Sequence, residues 1–520
     1  MNNRHQSVMA INALALEHRA DRAAYRSVWI VVVLFAVALV TRLPRIGDPA
    51  ISIDEQFYLL VADRIWHGAL PYVDIWDRKP VLLFLIYAAL RPLSPEGIVA
   101  YQIGALLFAT ATAFVIVVIA QRFASLLGAC LAGVAYLLYL PLLDGAGGQG
   151  PVFYNLFMAL GALEIIRAGE DGNAASIWRR GLRCMIYVGL AIQVKYTAAV
   201  EGVAFGLWLI WLIMQRQSGS VWRAVPPALA WAMTALAPTL VVIAFYILIG
   251  HGWDFAYANF LSIFERHQPA DFSSLTFFIP SVEKLAPLVL LTAYSGLKLA
   301  RSTMKGPSRS FLALWMASAV VGACAIGTFY DHYALPLLVP ATIIWAPALA
   351  DAAVGTMAIA TLGVLAILAV TGFLDRSPQS DRTRVAAMVE AARPYAAHGC
   401  IYIYNGPSIV YLLTHSCLPS RYAAPDHLST AGEARATNAR QSMAELLSGR
   451  PSAIFFSDQP FVLPRNAETA AMLTEVLARD YTRVAVLPDP FPPRHQILYV
   501  RNDLLPQQRT QGESATDISH

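Results

Sequence analysis

Long apolar runs separated by short charged intervals fill the chain as far as Leu374, and beyond it the pattern changes. The runs lie at Val28–Thr41 and near 98–120, 126–143, 152–166, 184–194, 196–214, 227–250, 284–300, 311–328, 333–350 and 353–374. Read as helices, they predict about eleven crossings of a hydrocarbon core roughly 30 Å thick. The stretch from Cys184 to Met214 would measure about 45 Å as one helix, too long for a single crossing without strong tilt. Arg167, Arg179, Arg180 and Arg183 precede it, and Arg216 and Arg223 follow it. Both flanks therefore belong in the cytoplasm, and the run goes out and comes back. Its turn falls at Gln193-Val194-Lys195-Tyr196, which puts Lys195 at the outer face. A lysine at the bilayer centre would cost about 2.5–3.5 kcal/mol on insertion scales.

The polar segment 1–27 carries Arg4, Arg19, Arg22 and Arg26, and no small-residue cleavage site follows the first run, so that run reads as a retained anchor. With the amino terminus inside, segments 42–97, 144–151, 251–283 and 328–333 and everything after 375 fall outside. Arg301, Lys305 and Arg309 sit in a predicted inner loop, in agreement. Segment 42–97 also carries basic residues, and the rule weakens for long loops. The transmembrane domain is thus expected over 28–374, with 42–97 as its first outer loop.

Past Leu374, short β-rich runs at Ile401–Tyr404, Ala453–Phe456, Val484–Leu487 and Gln496–Val500 alternate with helical patterns at Asp381–Ala397 and Ala467–Ala478. They predict a compact soluble α/β domain over 375–505, on the outer, periplasmic side. The tail 506–520 is polar and unpatterned, and is expected to be disordered. Fold class is therefore an α-helical polytopic membrane protein with a C-terminal soluble α/β domain.

Composition reinforces this: 57% of residues are hydrophobic and 14% charged, and mean hydropathy is +0.52. Ordinary soluble chains have about 45–50% apolar and about 25% charged residues. The net charge of +4 says little, because placement matters more than the sum, and nucleic acid is not an expected partner. Cys130, Cys184 and Cys324 fall in predicted spans as small buried residues. Cys400 and Cys417 share the outer domain, where a disulfide could persist. No cysteine and histidine spacing suggests structural zinc.

Against this background residues 52–80, "SIDEQFYLLVADRIWHGALPYVDIWDRKP", are crowded with charge. Ser52 and Glu55 match a helix capping box, and Asp54 and Glu55 suit a helix amino terminus. Asp54 is equally placed to take a proton from a hydroxyl, and both roles are compatible. Arg78 and Lys79 stand before Pro80 and an apolar run, either as interfacial anchors with Trp76 or as cations for a lipid phosphate. Lys195 adds an outer cation, with Glu201 as its ordinary partner. Asp331, His332 and Tyr333 mark another outer edge, where a histidine is more often a hydrogen-bond partner than a ligand. "LDGAGGQGP", residues 143–151, lacks nucleotide-loop spacing and reads as a flexible outer turn with Asp144 its one acid.

In order, these motifs are "DE" at Asp54 and Glu55, the G-x-x-x-Y-x-D-x-W-D-x-K-P run from Gly68 to Pro80, "KYT" from Lys195, and H-Y-x-L-x-L-L-x-P from His332 to Pro340. The series resembles the GT-C superfamily of polyprenyl-phosphate-sugar glycosyltransferases. The branch is the bacterial one similar to protein mannosyltransferases, aminoarabinose transferases and lipopolysaccharide galacturonosyltransferases. The segment 400–422, "CIYIYNGPSIVYLLTHSCLPSRY", is similar to the start of the soluble domain in that branch. The resemblance implies an inner-membrane enzyme that inverts at the anomeric carbon. Its donor is a polyprenyl-phosphate-linked sugar, and its acceptor is a lipid, glycan or protein of the envelope.

On the matching positions, Asp54 corresponds to the catalytic first-loop aspartate and Glu55 to the adjacent acid. Lys79 corresponds to the lysine that contacts the donor phosphate. Tyr72, Asp77, Arg78, Asp144, Lys195, His332 and Tyr333 complete the expected substrate-binding set. Many relatives carry a glutamate where this chain has Asn155, which leaves Asp144 as the candidate second acid. Some relatives bind a divalent metal through a first-loop carboxylate and histidine, whereas position 78 is arginine; no cofactor is certain and the metal question stays open. Two other classes remain: a lipid-linked sugar transporter, whose ionisable groups would sit at the midplane in broken helices, and a non-catalytic binding subunit.

Overall fold

The computed structural model describes residues 25–216, 221–266, 275–301, 307–325, 329–373, 377–457, 459, 464–491 and 493–505. The first 24 residues of the polar leader and the expected disordered tail lie outside them.

Apolar runs become helices because only a helix satisfies its own backbone groups in lipid. In chain order these are α1 (Tyr25–Val40), α2 (Ile53–Trp66), α3 (Val81–Leu90), α4 (Ile98–Ala120), α5 (Leu126–Tyr139), α6 (Gly150–Asp171), α7 (Ala174–Ile192), α8 (Ala198–Arg216) and α9 (Val221–Leu248). There follow α10 (Gly252–Ala256), α11 (Leu275–Arg301), α12 (Pro307–Cys324), α13 (Leu338–Leu349) and α14 (Ala352–Thr371). Among the described residues seven helices are long and apolar enough to cross a membrane, and this is a multi-pass membrane protein. The other expected crossings correspond to α1 and α12, which are shorter, and to α7 and α11, which carry charged residues within them. The long run 184–214 does break, with α7 ending at Ile192, α8 starting at Ala198 and Lys195 in the turn between them.

Close helix approach depends on small residues. A Cβ on Gly128 of α5 would sit 2.3 Å from the Ala346 carbonyl oxygen of α13, and one on Gly133 would sit 2.8 Å from Val117 of α4. The stretch between α1 and α4 folds into α2 and α3, joined by an irregular stretch with Tyr72 at φ 70°.

The chain divides into two compact units, residues 1–264 with 270–383, and residues 265–269 with 384–520. The second is built on a four-stranded sheet in the order β1 (Ile401–Ile403), β2 (Ala453–Phe456), β4 (His495–Arg501), β3 (Tyr481–Pro488). β1 and β2 are parallel, with Ile401 opposite Ala453, and the other two pairings are antiparallel. Met443, Leu446, Leu473 and Leu477 from helices Ala439–Ser448 and Ala467–Asp480 bury Tyr402, Tyr404, Ile454 and Phe456 of β1 and β2 and of the residue after β1. Asn466 caps the latter helix by accepting from the Glu468 and Thr469 amides. Cys400 and Cys417 are joined in a disulfide, and Arg266 pairs with the buried Glu433 at 3.0 Å.

Replacing Gly128 by valine forces side-chain atoms into the Ala346 carbonyl. It should cost about 1–3 kcal/mol, seen as a lowered thermal midpoint of the detergent-solubilised protein, whereas the same change at the uncrowded Gly296 should leave that midpoint in place.

Candidate active site

The site is built from five segments of the first unit: the start of α2, the stretch 72–79, the loop 144–149 before α6, the turn 193–197, and the 3₁₀ segment Asp331–Leu337 before α13. Asp54 lies in the first turn of α2, where the helix dipole favours a carboxylate. Its side chain is 32% exposed and faces Lys79 Nζ at 3.8 Å and His332 Nε2 at 3.9 Å. Burial works against ionisation of Asp54. The charges of Lys79, His332 and Lys195 and a hydrogen bond from Gln149 outweigh it and hold the carboxyl below its usual range.

Lys79 is fixed from several sides. Its ammonium also meets Asp77 Oδ1 at 3.5 Å and stands 5.5 Å from the centre of the Tyr58 ring. Its backbone carbonyl accepts from the Tyr72 hydroxyl at 2.8 Å. Tyr72 is itself 0% exposed, wedged against Tyr246 and Phe255. Arg78 points along a different line: its guanidinium lies 4.8 Å from the Trp76 ring centre, and Nε donates to Ser262 Oγ at 2.9 Å. Ser262 follows a π-helical turn, Tyr257–Leu261, whose Asn259 accepts from the Tyr196 hydroxyl at 2.8 Å.

His332 bridges two acids, with Nδ1 3.9 Å from Asp144 Oδ2. Tyr330 stacks parallel to its ring, and Tyr333 meets it edge-on at 4.6 Å. Tyr333 in turn carries the Lys195 ammonium over its face at 4.3 Å. Burial pulls the Lys195 ammonium down to about 7, against the attraction of Asp54 and with the repulsion of Lys79. Lys195 and Tyr333 also line a small pocket together with Tyr154, Thr197 and Glu201.

The sequence candidates Asp54, Asp77, Lys79, Asp144, Lys195, His332 and Tyr333 thus converge. Tyr72 sits beneath them, Arg78 against Ser262, and Glu55 in a separate, fully buried position beside the glycine-rich loop. Three expectations need correction. Ser52 is the N-cap of α2, yet its hydroxyl makes no cap and accepts from Gln149 Nε2 at 2.8 Å, so the capping box is not formed. A buried tertiary donor has displaced the local one. The turn 143–151 is not a free surface turn, because Gly145, Gly147, Gly148 and Gln149 are buried, and Gly145, Gly148 and Gln149 are hydrogen-bonded. Glu201 accepts from Trp315 Nε1 at 2.6 Å in place of the Lys195 contact expected for it. Asn155, where relatives carry an acid, donates to the Leu335 carbonyl at 3.1 Å and so supports the segment bearing His332.

Gln149, Tyr58, Ser262 and Asn259 were not anticipated. Gln149 was the polar residue of a glycine run, which is a weak signal; the others have no local mark. Among the described residues no group of three or more His, Cys, Asp or Glu is placed to hold a metal ion. Asp54 already faces Lys79 and the Lys195 charge, a donor set that does not fit a divalent cation.

No protein-family model and no curated protein matches the sequence. The structure is similar to that of ArnT, an aminoarabinose transferase, from Cupriavidus metallidurans bound to undecaprenyl phosphate. The TM-score is 0.61 at 13% identity, covering 91% of this chain and 97% of that one. The apo state of that protein aligns at a TM-score of 0.42 and 14% identity over 92% of this chain and 98% of that one. An Archaeoglobus fulgidus oligosaccharyltransferase tethered with an acceptor peptide aligns at 0.47 and 9%, over 83% of this chain and 69% of that one. The first likeness shows that this chain has the membrane-embedded GT-C fold that its motifs resemble.

Tyr72→Phe removes the hydroxyl that donates to the Lys79 carbonyl and leaves the ring in place. It should cost about 0.5–1.5 kcal/mol of stability, the net worth of an ordinary intramolecular hydrogen bond, measured by chemical denaturation beside the wild type.

Proposed function

We propose that this protein is a glycosyltransferase that moves a sugar from a polyprenyl-phosphate carrier to a hydroxyl of an envelope acceptor, with inversion, on the outer face of the bacterial inner membrane. The observation that carries this reading is the Asp54 carboxylate facing Lys79 and His332, with Lys195 adding its charge, on a fold shared with ArnT, whose structure holds undecaprenyl phosphate. The disulfide in the second unit is in keeping with an oxidising compartment.

In the reaction the acceptor oxygen forms a bond to the anomeric carbon while the carbon–oxygen bond to the phosphate breaks. The acceptor proton goes to Asp54, and the electron pair leaves with the lipid phosphate. That leaving group is a stable anion and needs cations more than an acid. Lys79 and Lys195 receive it, with Arg78 at the rim. Asp54 in the free site is a weak base because Lys79 neutralises it. A donor phosphate competes for the same ammonium, so donor binding relieves the carboxylate and raises its basicity where the acceptor hydroxyl arrives. Polar chemistry at headgroup depth lets the polyprenyl tail stay in hydrocarbon.

Asp54→Asn should lower kcat by about 10²–10⁴-fold, the usual worth of a positioned base, with the protein level unchanged. The assay is transfer in reconstituted liposomes from a panel of radiolabelled polyprenyl-phosphate sugars to an envelope extract. Wild-type protein that transfers from no donor, yet moves carrier between leaflets equally well with Asn at 54, would replace this reading with a transporter.

The Lys195 ammonium, held near 7, is charged below that pH and neutral above it. Donor affinity should therefore weaken as pH rises from 6.5 to 8.5, and Lys195→Arg, which stays charged, should flatten that dependence in a titration of donor binding.

A further inference from the structure

Glu55 is the acid in the first turn of α2 that the chemistry above does not use. It is 0% exposed, and neither carboxyl oxygen completes a well-aligned hydrogen bond. The Gly148 amide and the Tyr101 hydroxyl approach it, Tyr87 stands nearby, Asp144 and Asp54 add negative potential, and the Arg42 charge interacts with it. Directly against it runs the loop 144–150. A Cβ on Gly147 would come within 2.1 Å of Glu55 Oε2, and one on Gly148 within 2.3 Å of the Tyr87 hydroxyl. The backbone is held on both sides of that contact: Arg42 Nη2 donates to the Gly145 carbonyl at 3.1 Å and Tyr87 to the Gly148 carbonyl at 2.8 Å. The two polar side chains that the loop carries are Asp144, which faces His332, and Gln149, which bonds Ser52 and reaches Asp54.

A carboxylate in such a place would be a desolvated charge against backbone and two further acids, whereas the neutral acid fills the same shape without that cost. We propose that Glu55 is a positioning residue which, as the neutral acid, seats the glycine-rich loop and thereby sets Gln149 on Asp54 and Asp144 on His332. The consequence for activity rests on the transferase reading; the seating itself does not.

Burial pushes the Glu55 carboxyl up to about 8, opposed by the Gly148 amide and the Tyr101 hydroxyl and reinforced by Asp144 and Asp54. Its folded value lies above the ordinary 4.5. The stabilisation is therefore complete below pH 4.5 and is lost as pH rises through about 8. Above that pH an ionised Glu55 presses on Gly147, and the loop should lift.

Amide hydrogen exchange of peptides covering 144–150 reports the seating in the full-length protein in lipid nanodiscs, at pH 6.5 and 9 and corrected for intrinsic chemistry. Wild-type protection should fall about tenfold at pH 9, one unit past the titration. Glu55→Gln, neutral at every pH, should keep the loop protected at both and retain transfer within about threefold at pH 7. Gly147→Ala should expose the loop at both pH values and lower transfer. Glu55→Gln protein that loses protection at pH 9 as the wild type does would overturn the proposal. So would a wild-type loop indifferent to pH, or a Glu55→Gln enzyme that is inactive with its loop fully protected, which would place the ionised carboxyl in the chemistry. Wild-type protein that shows the exchange pattern but no transfer from any donor would support the seating and count against the transferase reading.

Discussion

Asp54 and Lys79, 3.8 Å apart, hold opposite charges in a place where neither is fully hydrated, and the surrounding structure is organised around that pairing. A carboxylate at the edge of a membrane domain is costly unless cations face it. Here they do: Lys79 from the same loop and Lys195 from the α7–α8 turn, with the His332 ring beside the carboxylate from the segment before α13. Each of these depends in turn on an uncharged neighbour: Tyr72 beneath the Lys79 backbone, Tyr333 beneath Lys195, and Asn155 behind the His332 segment. Aromatic faces and amide groups place the charges without neutralising them, so the cations stay available to an incoming anion.

The site is asymmetric in solvation. Asp54 and Asp144 are 32% and 41% exposed, whereas Tyr72 and Glu55 beneath them are sealed. Groups that would meet substrate thus sit above a floor that excludes water, and errors in the floor translate into misplacement above it. The single polar step out of this arrangement is Arg78, drawn toward Ser262 and the π-helical turn. A π-turn widens the helix locally and re-aims the residues that follow it.

Much of the fold was legible because hydropathy acts over short windows. The apolar runs became helices nearly where the sequence put them, and the break at 193–197 followed from arginines on both flanks. The four strands also fall on their β-branched and aromatic runs. What escaped was long-range: Ser262 meets Arg78 across 184 positions, Gln149 meets Ser52 across 97, and Arg42 meets Gly145 across 103. The capping box failed for the same reason, since its local logic was sound and a distant glutamine won. Helix Ala439–Ser448 was missed because its apolar face, Ala439, Met443, Leu446 and Leu447, is short and flanked by polar residues that read as loop.

The first loop holds both members of the central pair, while Lys195 and His332 arrive from segments much further along the chain. During synthesis the amino-terminal helices emerge and insert first. The carboxylate and the lysine can therefore find each other on the nascent chain, each shielding the other, long before the helix that brings His332 has been made. Such an order of insertion would leave a stage with the pair formed and its later neighbours still missing, so that a half-inserted chain carries no bare buried charge and only part of the site.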